Sequence, residues 1–273
     1  MSMHAVPARN RGRSASRALG TLGFFALAAG PTSGATLYLP GVANTSGLNG
    51  TRFESSAWLV SFGTRDTVVE IALIPAAPVP APPPVTRPVR PGQTLRFGNV
   101  LAELFGLEGT YGTLVVTSDE PFALRGTTAN VKDPLATYGL GLASVSDETI
   151  LLPGETGHAV WLSHSPDLSA GYRTNVNVAL LAPDSDVAVT LYDEAGFVRG
   201  ATRLSSPVPL TWQASTADLA GDPAIAAGRV AIEVLRGRAT GYTAVVDNVT
   251  GDGILVRADR LPAIAQDVLL DGV

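Results

Sequence analysis

Two histidines, His158 and His164, stand six residues apart in Gly157-His-Ala-Val-Trp-Leu-Ser-His164, and Asp167 follows three residues later. Imidazole nitrogens and a carboxylate are the ligand types of zinc hydrolases, in which the metal activates a bound water. The period of a strand puts both histidines on one face but roughly 20 Å apart at about 3.3 Å per residue, too far to share one ion. Only a loop would bring His158, His164 and Asp167 together. Ser163 and Ser165 flank His164, yet adjacent strand residues point to opposite faces and no Gly-x-Ser-x-Gly elbow accompanies them. A serine nucleophile is not expected.

Asp247, Asn248, Thr250 and Asp252 gather oxygen atoms on one tight turn, the donor set calcium takes, but no glutamate closes the loop at its twelfth position. Side chains of this kind also satisfy local backbone amides in ordinary turns. No cofactor is therefore expected, with calcium at Asp247, Asn248 and Asp252 the one candidate metal site. Trp58, Trp161, Tyr172, Trp212 and Tyr242 offer flat faces for stacking on sugar rings, and Trp161 and Tyr172 flank the most polar loop of the second half. The candidate ligand site is accordingly His158, Trp161, His164, Asp167 and Tyr172.

The elements that must position these residues follow an export signal. Arg9, Arg11, Arg13 and Arg17 precede a 12-residue apolar stretch at 18–29 and the small residues Ser33-Gly34-Ala35, the three parts of a cleaved secretory segment. The apolar stretch is shorter than the roughly 20 residues a spanning helix needs. All 24 acidic residues and 15 of the 19 basic ones lie after position 35, an acidic excess that argues against a nucleic-acid partner. The absence of cysteine excludes disulfides, thiolate metal sites and a lipid-anchored N-terminus. The chain is expected to be secreted or periplasmic, with no membrane span after signal removal and a protein or glycan as partner.

Apolar residues alternate with period two. Val176, Val178 and Leu180 alternate with Asn175, Asn177 and Ala179; Val187, Val189 and Leu191 and then Val230, Ile232 and Val234 repeat the pattern, and Val69, Ile71, Leu73, Leu114 and Val116 occupy matching places earlier in the chain. Such strands between Gly, Pro, Asp and Asn clusters predict antiparallel sheets. Residues 75–91 hold eight prolines, which predicts a stiff, unpaired loop because proline has no amide hydrogen for a ladder. One short helix is predicted in each half. Asn99 caps one that ends at Gly106; Ser215, with Asp218 three residues on, caps one that ends at Gly221.

The halves also echo each other in sequence: Tyr38-Leu-Pro-Gly41 matches Leu151-Leu-Pro-Gly154, Gly112-Thr-Leu-Val-Val116 matches Gly228-Arg-Val-Ala-Ile232, and Ala129-Asn-Val131 matches Asp247-Asn-Val249. With Phe53-Glu-Ser-Ser-Ala-Trp-Leu-Val60 and Tyr172-Arg-Thr-Asn-Val-Asn-Val178, these segments resemble the tandem β-sandwich modules of secreted bacterial proteins of unassigned function. The resemblance implies an exported, non-enzymatic sandwich and carries over no catalytic residue. The expected fold is all-β: an export signal at 1–35, two tandem antiparallel Ig-like β-sandwich modules at 36–148 and 149–260, each with one short helix, and a tail at 261–273. The expected function is surface interaction, adhesion or envelope structure, with carbohydrate binding as the alternative and metal-assisted hydrolysis a remote third.

Overall fold

A computed structural model of the chain describes residues 34–132, 138–221 and 224–260. Nearly all of the export signal read at 1–35, and the tail at 261–273, lie outside the described residues. The first half runs β1 (Ala35–Ser46), β2 (Arg52–Ser61), β3 (Thr67–Pro75), β4 (Val85–Val89), β5 (Thr94–Phe97), α1 (Val100–Phe105), β6 (Thr110–Ser118), β7 (Phe122–Asn130), β8 (Gly139–Ala143) and β9 (Val145–Ser146). The second runs β10 (Thr156–His164), β11 (Tyr172–Leu180), β12 (Ser185–Tyr192), β13 (Val198–Ser206), β14 (Leu210–Ser215), α2 (Thr216–Ala220), β15 (Ile225–Arg236), β16 (Ala239–Asp247), β17 (Gly253–Arg257) and β18 (Asp259–Arg260). The described residues are all-β, built of antiparallel sheets with two short α-helices.

In the second half the sheets are β13-β12-β15-β10-β18 and β14-β11-β16-β17. In the first, β4-β3-β6-β1 with β9, and β5-β2-β7-β8, repeat those pairings strand for strand. The first half differs in one respect: Asn44, Thr45 and Ser46 at the end of β1 also pair with β2 and join both parts into one nine-stranded sheet. Each half has its own apolar core. Leu39, Ile71 and Leu114 meet Ala57, Leu59 and Leu124 in the first, and Ala159, Val189 and Ile232 meet Val176, Val178 and Leu180 in the second. The period-two residues thus turn inward as their spacing requires.

Both helices form where their caps predict. The Asn99 side chain accepts from the Ala102 amide, Ser215 and Asp218 make a reciprocal capping box, and Gly106 and Gly221 close the helices in the left-handed conformation. Leu101 and Leu104 enter the first core, and Leu219 packs on the second.

The proline-rich segment departs from expectation. β3 continues to Pro75, and β4 pairs with it, Pro88 opposite Val68. β4 ends its sheet, so a residue without an amide hydrogen can face outward there. Residues 76–84 make the connection, with Ala76 bridging to Thr211.

The register also corrects one sequence match. Leu39-Pro-Gly41 lies inside β1, where the pairing with β6 shifts between Pro40 and Val42. β10 carries the same shift against β15 between Val160 and Leu162. Val42 pairs with Gly112 and Leu162 with Gly228, so Trp161 takes the place of Gly41. Leu152-Pro-Gly154 lies in the turn before β10. The motif match fails because the same three residues make a bulge in one half and a turn in the other.

The halves meet face to face. Tyr38, Ile74 and Val115 on the outer side of the β3-β6-β1 layer form a third apolar cluster with Val145, Ile150, Ala179 and Leu181. The Thr211 hydroxyl donates to the Ile74 carbonyl at 2.8 Å and stands 3.1 Å from the Thr113 hydroxyl. Tyr38 donates to Asp147 at 3.0 Å, and Arg238 reaches the same carboxylate oxygen at 3.2 Å.

Candidate functional site

The face by which the first half docks has a counterpart in the second half. The shared register identifies its residues. His158 stands for Tyr38, Arg229 for Thr113, Ala231 for Val115 and Tyr192 for Ile74. Apolar contact residues are thus replaced by a cationic and aromatic group. The Arg229 guanidinium lies 3.7 Å from the centroid of the Tyr192 ring, a cation–π contact. It also donates to Nδ1 of His158 at 3.3 Å. Burial holds the His158 imidazole below its ordinary range, and the nearby Arg229 charge acts in the same direction. A neutral His158 is what lets its Nδ1 accept from an arginine.

Trp161, at the bulge of β10, has φ of 65° and is 40% exposed. A bulky L-residue in the left-handed region costs about 1–2 kcal/mol, a cost that glycine avoids, and glycine is what β1 has at this place, with φ of 88° at Gly41. Tyr172, also 40% exposed, meets the Trp161 ring edge to face at 6.1 Å between centroids. The candidate aromatic pair is therefore brought together at the surface, by two strands belonging to different sheets.

Asn248 and Asp167 serve the loop 165–171 that joins those strands, whereas Asp247 and Asp252 bond elsewhere. Asn248, on the turn after β16, donates from its side chain to the Asp167 and Ala170 carbonyls at 3.3 and 3.0 Å, and its oxygen accepts from Arg173 at 3.1 Å. Its own amide donates to the Gly171 carbonyl. Asn248 thus fixes the loop that delivers Tyr172 to Trp161. Asp167 accepts from the amide and hydroxyl of Ser169, which holds its carboxyl below the usual range. Asp247 accepts from the Val249 and Thr250 amides and the Thr250 hydroxyl, and the Thr250 amide above all lowers its pKa. The Asp252 carboxylate accepts from the Gly139 amide at 3.1 Å.

His164 is buried and pairs with Ile225, whereas His158 pairs with Ala231. Among the described residues, no three His, Cys, Asp or Glu side chains converge to hold a metal. His158, His164 and Asp167 are therefore not brought together. Arg229 and Tyr192 are not among the sequence candidates: the match of Gly112-Thr-Leu-Val-Val116 to Gly228-Arg-Val-Ala-Ile232 already sets Arg229 against Thr113, but the ring and the histidine that make it notable come from other strands.

Comparison with protein-family models and with curated proteins gives no match to the chain. No helix among the described residues is long and apolar enough to cross a membrane.

Two outcomes follow. Trp161→Gly is more stable than Trp161→Ala by about 1 kcal/mol in denaturant unfolding, because alanine keeps the left-handed strain; alanine equal or better contradicts the bulge assignment. In NMR titration, His158 protonates below the ordinary value of about 6.5, and Arg229→Gln moves its midpoint up; an unchanged or lower midpoint contradicts the contact. The sign for stability follows: the His158 contribution is full above the unfolded pKa and is lost as pH falls through the lower folded one.

Proposed function

We propose that the chain is an exported, non-catalytic protein of two tandem Ig-like β-sandwich modules, acting in surface interaction, adhesion or envelope structure. The first module docks the second, and the second presents the contact face. Repetition of the strand pairings with two separate cores supports the tandem reading. The observation that carries the functional one is Trp161: an exposed ring held in a backbone conformation that its counterpart Gly41 adopts freely. Strain of this kind persists where the surroundings impose it and clusters at functional sites. Exposed tryptophan and tyrosine are also the side chains that dominate macromolecular contacts.

Carbohydrate binding is the second reading, supported by the same exposed pair, since an edge-to-face arrangement leaves ring surface for a sugar to stack on. One experiment addresses both. The purified chain is tested for binding to bacterial cells, to isolated envelope and to a glycan array, alongside Trp161→Ala and Tyr172→Ala. Binding weakened at least about tenfold by either substitution is expected for an anchor residue. Glycan hits lost with Trp161→Ala select the sugar reading. Binding indifferent to both substitutions, or substrate turnover abolished by His164→Ala, contradicts the proposal.

A further inference from the structure

Between the halves lies a cavity of about 470 Å³, within the size range of small-ligand sites. One wall is the outer face of the second half's four-stranded sheet. There the strand period turns Arg173, Asn175 and Asn177 away from the core that holds Val176 and Val178. Asn177 pairs across β11 with Gln213 on one side and Tyr242 on the other, so these three line up in one row on the wall. The opposite wall comes from the first half, including Gly41, Phe53, Tyr111 and Leu140.

The chemistry of this wall is unequal. Its charged groups have partners within the protein: Arg173 donates to Asn248, and Asp218 accepts from Ser215. Its neutral groups are less well served. Asn177 is 0% exposed, and while its nitrogen reaches the Asn175 carbonyl at 3.3 Å, its side-chain oxygen has no hydrogen-bond partner. A buried acceptor left unpaired is destabilising, because it has lost its water without gaining a donor. Tyr242 is 5% exposed, and burial, with Tyr111 adding to it, pushes its phenol far up. It is a neutral hydroxyl at any working pH. Gly41 leaves it room, because a Cβ there would stand 3.1 Å from the Tyr242 oxygen.

We propose that this cavity binds a small, uncharged, polyhydroxylated ligand of the sugar class. The Tyr242 hydroxyl and the Gln213 amide offer donors and acceptors to such a ligand, a small turn of the buried Asn177 side chain toward the cavity lets its unpaired oxygen accept a ligand hydroxyl, and Phe53 and Leu140 supply apolar surface for the ring carbons. Arg173 and Asp218 already hold hydrogen bonds within the protein, and the unpaired acceptor of the wall is a neutral one. The site is separate from the Trp161 face, and its test is read independently of that proposal.

The test is saturation-transfer NMR on the purified chain with glucose, galactose, mannose, N-acetylglucosamine, trehalose and myo-inositol at millimolar concentration. Transfer to at least one is expected. Asn177→Leu and Tyr242→Phe, each made in the Trp161→Ala background so that no sugar stacked on that face contributes, should each weaken it about fivefold to tenfold, the effect of one lost neutral hydrogen bond. Asn177→Leu should also keep or raise Tm, because it removes an unpaired acceptor; if its Tm falls, Tyr242→Phe decides alone. Transfer to none of the six in the Trp161→Ala chain, or transfer undiminished when Tyr242→Phe is added to it, overturns the proposal.

Discussion

The outer face of one sheet in the second half lies against the outer face of a sheet in the first, and the rest of the molecule is arranged around that contact. Residues that alternate outward from a sandwich ordinarily meet water. Here Ala179 and Leu181 meet Ile74 and Val115 instead, and Thr211 ties its hydroxyl to the Ile74 backbone. The contact also closes over Asn177 and Tyr242, which end up buried without being part of either core. Buried polar groups of this sort are tolerable only when something satisfies them. A polar cavity between the halves is thus a direct product of how they dock.

The same contact explains why two halves with equal strand pairing have unequal surfaces. At the bulge of β1 the close approach of Tyr242 leaves no room for a side chain, and Gly41 is there. At the bulge of β10 the Trp161 side chain is exposed. Tyr38, Thr113 and Ile74 are contact residues; their counterparts His158, Arg229 and Tyr192 form a stacked cationic group. A Trp at the Gly41 place would collide with a docked sheet, so the second half cannot repeat the first half's contact with another chain in the same geometry. One face carries the docking residues, and its counterpart carries Trp161, Arg229 and Tyr192 instead.

Much of the scaffold was legible because it depends on local rules. Asn99, Ser215 and Asp218 announce helix starts, Gly106 and Gly221 announce their ends, and the Val176 to Leu180 alternation announces a strand facing a core. The bulge was not legible, since Leu-Pro-Gly occurs in both halves with different roles and only the pairing register separates them. The proline segment misled because edge position, which makes Pro88 harmless, is a property of the sheet rather than of the segment. Trp161 and Tyr172 were legible as residues but not as a pair, because β10 and β11 belong to different sheets. Asn175 and Asn177 alternate with the core residues of β11, and the first-half residues across the cavity from them, Gly41 and Tyr111 among them, lie far off in sequence, beyond the reach of any periodicity.

If docking of the outer faces is the constraint that organises the molecule, the two halves unfold together. Scanning calorimetry of the purified chain measures this directly, by comparing the calorimetric with the van't Hoff enthalpy. The account predicts a single transition with the two enthalpies equal in the native chain, and separation into two transitions when Ile74→Asp places a charge in the shared cluster. Two independent transitions in the native chain would contradict it.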